Sequence, residues 1–281
     1  MPAPFASPRL GAAHPPIGGA LLLAACVFGA SAVQAAPHDL PQPGSCVVDL
    51  PLSDGDVQRL CYRQPEQPIA ALVLLVGGDG VLSMDGAGEI HLDTDSFLIR
   101  TRDAWIARGF AIAIPDVPSD RSTLRNSRLS RGYGDILHRI VAYVRTRTSV
   151  PIWLVGTSQG TNAAASGAAH MTQSEIAGVV LTSSLSRSGR HSSETVFGAD
   201  LALITVPTLI VSHRGDRCSN TPPSDAERIR RALVKSPRIE VMMFDGGAAP
   251  RSDECRGESE HGYLGIEDQV LDRIAEWIKA P

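Results

Sequence analysis

The 281-residue sequence is poor in aromatic residues and has no excess of positive charge. Aromatic residues make up only 5% of the chain, which excludes a stacking platform for single-stranded nucleic acid. The formal net charge is −4, so no basic nucleic-acid-binding surface is expected. Internal repeats, low-complexity blocks and heptad patterns are absent as well. The composition therefore favours an ordinary globular domain with no nucleic-acid partner.

Two groups of binding motifs are also missing. No G-K-[ST] follows the glycine-rich "VGGDG" at 76–80, and G-x-G-x-x-G does not occur, so neither type of phosphate-binding loop is predicted. No CxxC pair exists, and a zinc site is not expected.

The N-terminus predicts export. Arg9 is the only fixed charge before His38, and the apolar run "IGGALLLAACVFGASAVQAA" ends in small residues, as in a secretory signal peptide. We place the signal peptide at 1–36 and a single domain at 37–281. A membrane anchor is the alternative, but the apolar run is short for a span of about 20 residues. "LAAC" at 23–26 also resembles a lipoprotein box, so membrane attachment is expected only if Cys26 is lipidated. The protein is predicted to be periplasmic or secreted.

Four further cysteines fit an exported chain, since an even number in such a chain indicates disulfides. Three pairings are possible. Cys46 and Cys61 lie on two strand-like runs joined by the turn "SDGD", so we pair them with each other. Cys218 then pairs with Cys255.

Continuous apolar runs alternate with amphipathic segments along the chain. The predicted strands are "SCVVDL", "VQRLCYRQ", "IAALVLLV", "FAIAIPDVP", "IWLV", "AGVVLTSS", "VPTLIVSH" and "RIEVMMF". The predicted helices are "DSFLIRTRDAWIARG", "YGDILHRIVAYVRTRT", "GTNAAASGAAHM", "DAERIRRALV" and "EDQVLDRIAEWIKA". This alternation predicts a three-layer α/β domain with a mostly parallel sheet and an antiparallel N-terminal hairpin. The segment between "VVLTSS" and "VPTLIVS" is too short for a large lid.

The motif G-x-S-x-G at 156–160 lies where a predicted strand turns into a predicted helix. A sharp strand-to-helix turn exposes a serine hydroxyl and permits close packing at the two glycines. We therefore predict that Ser158 is a nucleophile. The alternative is an ordinary helix N-cap.

A base and an orienting carboxylate follow Ser158 in the order expected of a hydrolytic triad. His261 in "ESEHGYLG" lies after the last strand and is the predicted base; an exposed loop histidine is the alternative. Asp216 in "HRGDRC" is the predicted carboxylate, with Asp245 and Asp253 as rivals. His213 is predicted to be structural. The histidines without a predicted role are His14, His38, His91, His138, His170 and His191.

Backbone N–H groups beside Ser158 are expected to stabilise negative charge on a carbonyl oxygen. The predicted oxyanion hole combines the N–H of Gln159 with that of Asp79 or Gly80 in "VGGDG". An ordinary glycine turn is the alternative. A Cys218–Cys255 disulfide would tie the loop of the predicted carboxylate to the loop of the predicted base.

The chain resembles the α/β-hydrolase superfamily through "GTSQG", "HRGDRCSNTPP" and "HGYLG". The last two look most like small exported bacterial hydrolases near the dienelactone-hydrolase-like group, although this chain has serine where that group has cysteine. The resemblance implies hydrolysis of an ester, thioester or amide through a covalent acyl-enzyme, without metal or organic cofactor. A small-molecule acyl substrate is expected.

Two alternatives to a hydrolase remain at this stage. An acyltransferase would use the same acyl-enzyme, and a binding protein could have the same fold without activity. Four arginines near the expected site edge could attract an acidic substrate, but we interpret them as a solvated basic loop. They are Arg121, Arg125, Arg128 and Arg131.

Overall fold

Eight strands form one sheet in the computed structural model, which describes residues 44–190 and 192–280. The strands are β1 (Val47–Pro51), β2 (Val57–Arg63), β3 (Ala70–Leu75), β4 (Phe110–Pro115), β5 (Ile152–Thr157), β6 (Gly178–Thr182), β7 (Thr208–His213) and β8 (Ile239–Phe244). The predicted signal peptide at 1–36 lies outside the described residues, as do Cys26, His14, His38 and His191.

The strand order is β1-β2-β4-β3-β5-β6-β7-β8. β2 runs antiparallel to both of its neighbours, and every other pair of adjacent strands is parallel. The predicted N-terminal hairpin is β1 with β2, and a disulfide between Cys46 and Cys61 closes it as predicted. β3 to β8 form one continuous parallel block, so the carboxyl ends of these six strands lie along one edge of the sheet.

The central strands are apolar along their whole length because both faces of the sheet are covered. All residues of β3, β4, β5, β6 and β7 are buried, whereas β8 at the edge is only partly buried. Two separate apolar cores lie against the two faces of the sheet. This pattern confirms the predicted three-layer α/β architecture.

Six α-helices of the described residues supply the outer layers. They are α1 (Phe97–Arg100), α2 (Arg102–Ala107), α3 (Arg131–Arg147), α4 (Gly160–His170), α5 (Ala226–Ala232) and α6 (Glu267–Lys279). Helices α3, α4 and α5 pack into one core, and α1, α2 and α6 pack into the other. The helix predicted over 95–109 is instead two short helices. It breaks at Thr101, whose hydroxyl donates to the Phe97 carbonyl oxygen at 2.6 Å.

The segment between β6 and β7 contains only two one-turn 3₁₀ helices among its described residues, Val196–Gly198 and Leu201–Leu203. The expectation that no large lid is inserted here is met for those residues. No helix in the described part of the chain is long and apolar enough to cross a membrane.

Candidate active site

Ser158 lies in a backbone conformation that serine rarely adopts. Its φ is 55°, in the left-handed region, at the turn between β5 and α4. A Cβ added at Gly156 would lie 2.5 Å from the Gly160 carbonyl oxygen, and one added at Gly160 would lie 1.9 Å from the Leu75 carbonyl oxygen. Neither distance is sterically possible. Both glycines of G-x-S-x-G are therefore needed for the close approach of strand and helix that produces this turn.

The backbone of Ser158 is fixed, while its hydroxyl is unengaged. The Ser158 N–H donates to the Thr182 carbonyl oxygen at 3.1 Å, and the Ser158 carbonyl accepts from the Thr161 hydroxyl at 2.6 Å. No described residue forms a hydrogen bond with the Ser158 hydroxyl, and α4 has no side-chain N-cap bond. The N-cap alternative therefore finds no support in the structure.

The imidazole of His261 and the carboxylate of Asp216 form a buried pair. His261 Nδ1 lies 3.0 Å from Asp216 Oδ2, and their side chains are 4% and 2% exposed. The Thr221 hydroxyl donates to the same carboxylate oxygen at 3.0 Å, and the Cys218 N–H donates to the other at 2.9 Å. This arrangement places Nδ1–H on Asp216 and leaves Nε2 as the nitrogen able to accept a proton.

The loop that carries His261 is anchored to the ends of two strands. The buried Tyr263 hydroxyl donates to the Val211 carbonyl oxygen at 3.0 Å. Ser183, directly after β6, donates its hydroxyl to the His261 carbonyl oxygen at 2.8 Å and its N–H to the Tyr263 hydroxyl oxygen at 3.2 Å. Burial raises the pKa of Tyr263, so this hydroxyl remains a neutral donor.

The second predicted disulfide, Cys218–Cys255, is also present. Cys218 lies two residues after Asp216, and Cys255 lies six residues before His261. The disulfide therefore links the two loops that supply the carboxylate and the imidazole. It closes a loop with a sequence separation of 37 residues.

Ser158 borders two cavities. The smaller, of about 50 Å³, is also lined by His261, Gly78 and Asp93. The larger, of about 650 Å³, is lined in part by Gln159, and its charged lining residues are Asp79, Arg125, Asp253, Glu254 and Arg256. Ser158 and His261 therefore face a common space into which a small substrate group can enter.

Asp93, which lines the smaller cavity, was not singled out from the sequence. Burial is the main cause that raises its pKa from 3.8 to about 6, and the neighbouring Asp95 carboxylate adds to the effect. Arg256 and Ser96 act in the opposite direction but do not cancel it. The cavity beside Ser158 thus contains a carboxyl group that gains or loses its proton near pH 6.

The rival carboxylates lie elsewhere. Asp245 is exposed and pairs with Arg214, at 3.6 Å. Asp253 lines the larger cavity, and no described bond joins it to His261. Asp216 is the predicted carboxylate that the fold brings to the imidazole of His261.

The remaining described histidines have partners of their own. His213 is buried, and its ring contacts the Gly246 carbonyl oxygen at 3.0 Å and accepts from the Gly215 N–H at 2.9 Å, so its predicted structural role is confirmed. The other three lie beside surface carboxylates: His91 beside Asp85, His138 beside Glu175 and His170 beside Asp200. None of these three lines either cavity at Ser158.

The backbone N–H groups predicted to form an oxyanion hole differ in whether they are already hydrogen-bonded within the chain. The Gly80 N–H donates to the Gly77 carbonyl oxygen at 3.1 Å and is used within the turn. No hydrogen bond within the described chain engages the N–H groups of Gly78, Asp79 and Gln159. Gly78 borders the smaller cavity with Ser158 and His261, while Asp79 and Gln159 border the larger.

The interpretation of four arginines as a solvated basic loop is wrong for Arg128, which is only 1% exposed. Its guanidinium reaches beneath the glycine-rich turn after β3 and donates to backbone carbonyls there. Arg121 and Arg125 pair with Asp120 and Asp79. Arg131 is exposed at the start of α3. Sequence alone cannot identify Arg128, because its carbonyl partners are about 50 residues away in the chain.

Groups of three or more His, Cys, Asp or Glu able to hold a metal ion do not occur among residues 44–190 and 192–280. Sequence reasoning assigned no role to four polar side chains around the site and gave Arg128 a different one; the four are Asp93, Ser183, Thr221 and Tyr263. Thr221 and Tyr263 had a local indication, since they lie in the quoted "HRGDRCSNTPP" and "HGYLG" motifs.

No protein-family model and no curated protein matches the sequence. Solved structures do match. An esterase of Pyrococcus furiosus has a TM-score of 0.60 at 12% identity and covers 83% of this chain and 89% of its own. Thermogutta terrifontis esterase 2 has a TM-score of 0.56 at 17% identity, covering 86% and 98%. A thermostable carboxyl esterase from Bacillus coagulans has a TM-score of 0.56 at 11% identity, covering 83% and 97%. With the strand order, this likeness shows the α/β-hydrolase fold.

Proposed function

We propose that the protein is a serine hydrolase that cleaves carboxylic esters, with Ser158 as nucleophile, His261 as base and Asp216 as the carboxylate that orients His261. The observation that carries the proposal is the buried hydrogen bond between Asp216 and His261 beside a cavity that Ser158 shares. The left-handed turn at Ser158 and the esterase neighbours of the same fold support it.

The mechanism follows from these positions. His261 Nε2 accepts the Ser158 hydroxyl proton while the oxygen attacks the ester carbonyl carbon, and the proton then passes to the leaving alcohol. A water molecule, deprotonated by the same nitrogen, attacks the acyl-enzyme and releases the carboxylic acid. Asp216 accepts the Nδ1–H bond throughout and stabilises the transient imidazolium.

The oxyanion hole that we propose keeps the Gln159 N–H as one donor. Its second donor is the Gly78 N–H instead of the Gly80 N–H. The Gly80 N–H is already bonded to the Gly77 carbonyl oxygen, whereas the Gly78 N–H is unengaged and borders the cavity of Ser158. Two backbone donors then approach the carbonyl oxygen of the substrate, as the reaction requires. Asp79 is the alternative second donor.

The cavities favour a small or medium-sized polar ester. The space beside His261 measures about 50 Å³, enough for a small group, and the larger cavity has charged residues of both signs in its lining. One solved structure of a T. terrifontis esterase has butyrate bound. We therefore propose short-chain acyl esters as the first substrates to test.

Labelling with a fluorophosphonate probe tests the nucleophile. We expect the probe to label the wild-type protein and to leave Ser158→Ala unlabelled, since only a serine activated by a base reacts rapidly with the probe. Ser188→Ala, at an exposed serine, is the matched control and should label like the wild type. T. terrifontis esterase 2 has been solved after phosphoramylation by tabun, a reagent of the same type. Equal labelling of wild type and Ser158→Ala would end the proposal.

Asp216→Asn tests the carboxylate. It should lower kcat by up to about 10⁴-fold, because the amide favours the wrong imidazole tautomer. Asp253→Asn, at the rival carboxylate, should retain most of the activity. The reverse ranking of the two variants would move the role to Asp253.

Product analysis separates hydrolysis from acyl transfer. Wild-type protein given a short-chain ester and a second alcohol should release mainly the free acid. Transfer of the acyl group to the alcohol in preference to water would indicate an acyltransferase, and a protein that neither labels nor turns over would be a binding protein.

We further propose that the protein is exported to the periplasm or beyond. Two disulfides are favoured in an oxidising compartment and support this proposal. Mass spectrometry of the mature N-terminus tests it, with cleavage after residue 35 or 36 expected. An uncleaved N-terminus would contradict export, and a lipid on Cys26 would indicate an exported protein anchored to a membrane.

A further inference from the structure

Arg128 is a buried cation close to the proposed oxyanion hole. Its side chain is fully buried. Its guanidinium donates four hydrogen bonds to described residues. Nη2 donates to the carbonyl oxygens of Val76 at 3.3 Å and Gly77 at 3.1 Å. Nη1 donates to the Leu124 carbonyl oxygen at 3.3 Å and to Gln159 Oε1 at 3.4 Å. Within the described chain, no carboxylate forms an ion pair with this guanidinium.

A cation without an ion-pair partner is expensive to bury, so the oxygens that accept hydrogen bonds from Arg128 offset part of that cost. Burial lowers the pKa of Arg128 to about 10. The nearby Tyr133 and Glu194 act in the opposite direction, because they favour the charged form. At neutral pH the side chain therefore still carries its charge. Among the described residues, the Glu194 carboxylate accepts from the backbone N–H groups of Arg128 and Leu129 and not from the guanidinium.

The carbonyls that Arg128 holds determine where the adjacent N–H groups point. In a trans peptide, C=O and N–H point in opposite directions. The Gly77 carbonyl belongs to the same peptide unit as the Gly78 N–H, and it faces Arg128 and the Gly80 N–H. The Gly78 N–H therefore faces away from Arg128. Ser158 lies next to this turn, since a Cβ added at Gly77 would be 2.9 Å from Ser158 Cβ and Gly78 borders the same cavity as Ser158.

The charge also changes the strength of that donor. A cation bonded to a carbonyl oxygen withdraws electron density from the amide, and the N–H of the same unit becomes a stronger donor. Arg128 additionally contacts the side chain of Gln159, whose own N–H is the other proposed donor.

We propose that Arg128 is the positioning residue of the oxyanion hole: its guanidinium holds the Val76 and Gly77 carbonyls and the Gln159 side chain, so that the Gly78 and Gln159 N–H groups converge on the substrate oxygen. Arg128 does not touch the substrate. The inference rests on the proposed function and adds a residue that the triad does not include.

The test compares Arg128→Met, Arg128→Lys and the control Arg121→Met, normalised to active sites titrated with the fluorophosphonate. Arg121 lies in the same loop, and its described ion pair is with Asp120. We expect Arg128→Met to lower kcat by about 10²-fold with KM changed by less than about threefold, since loss of one oxyanion donor costs about 10²–10³. Arg128→Lys should recover part of the loss, and Arg121→Met should match the wild type.

A trifluoromethyl ketone distinguishes positioning from simple structural support. Its adduct with serine places an oxyanion in the hole, so its inhibition constant should rise in proportion to the fall in kcat/KM. A purely structural role would lower the titrated active-site fraction while leaving the constants of the remaining sites unchanged. That result would overturn the inference.

If Arg128→Met does not fold, ketone binding to Arg128→Lys and Gln159→Ala decides. Arg128→Lys retains the charge but loses the fork of donors, and Gln159→Ala removes only the 3.4 Å side-chain contact. Weaker ketone binding in Arg128→Lys, with a smaller effect in Gln159→Ala, supports the inference. Unchanged ketone binding in Arg128→Lys overturns it. Failure of the proposed function is distinct, because the wild type itself would then neither label nor turn over.

Discussion

Asp93 gives the protein a pH-dependent stability that can be measured apart from catalysis. Its carboxyl group lies largely buried near Asp95, Arg256 and Ser96, and its pKa is raised from 3.8 to about 6, chiefly by burial. The folded state therefore holds the Asp93 proton more tightly than the unfolded chain does. Its contribution to stability is fully present below pH 3.8 and is lost as the pH rises through about 6.

The magnitude follows from the difference between the two pKa values. At 1.36 kcal/mol for each pH unit, complete burial would give about 3 kcal/mol. Because part of the group reaches solvent, which screens the interaction, we expect about 1–2 kcal/mol. Asp93→Asn keeps the shape of the side chain and removes the ionisation. It should match the wild type near pH 4 and be more stable than it by about 1–2 kcal/mol at pH 7.5.

Urea unfolding of both proteins between pH 4 and pH 8 measures this difference as a change in midpoint at constant slope. Asp103→Asn removes an exposed carboxylate that pairs with Arg63 on the surface and serves as the control. It should stay within about 0.5 kcal/mol of the wild type throughout. A stability difference between Asp93→Asn and the wild type that is the same at pH 4 and pH 7.5 would refute the reasoning.

Three further variants test how the site is held together. Replacing Cys218 and Cys255 by serine should lower the free energy of unfolding by about 4 kcal/mol in the chain-entropy model, as measured by guanidinium unfolding under oxidising conditions, and an unchanged midpoint would contradict it. Gly160→Ala should prevent soluble expression, because the new Cβ would meet the Leu75 carbonyl oxygen at 1.9 Å; a folded and active variant would show that the turn can relax. Tyr263→Phe should lower the free energy of unfolding by about 1–3 kcal/mol and lower kcat, since it leaves buried partners unsatisfied. Urea unfolding and steady-state kinetics measure the two effects, and the absence of either would contradict the prediction.

The parts of the fold that depend on local pattern were predictable. Apolar runs identified all eight strands: β3 to β7 are buried throughout, β1 and β2 form the hairpin, and the partly buried edge strand β8 still has an apolar run. The break at Thr101 was not predictable, since it depends on a hydroxyl that bonds back to the preceding turn. The turn at Ser158 was predictable because the glycines that permit it are its neighbours in sequence.

The contacts between distant segments were not predictable. Arg128 lies among several charged residues in a polar loop, and only the folded chain brings it to the carbonyls of the turn after β3. Thr221 lies within the quoted "HRGDRCSNTPP", but only the folded chain brings its hydroxyl to the Asp216–His261 pair. Residue type and order therefore indicated the reacting groups, while the residues that position them required the tertiary structure.

The two halves of the site are held by different means. The Asp216–His261 pair depends on side chains and a disulfide, and the Arg100 guanidinium adds a bond to the Gly262 carbonyl oxygen beside His261. Ser158 depends instead on backbone packing of a strand against a helix, with glycine where the two meet. Backbone packing within the central sheet is opened only by global unfolding, whereas loop contacts can be lost locally. We therefore expect reduction of Cys218–Cys255 to disturb the orientation of the base before it disturbs the turn at Ser158.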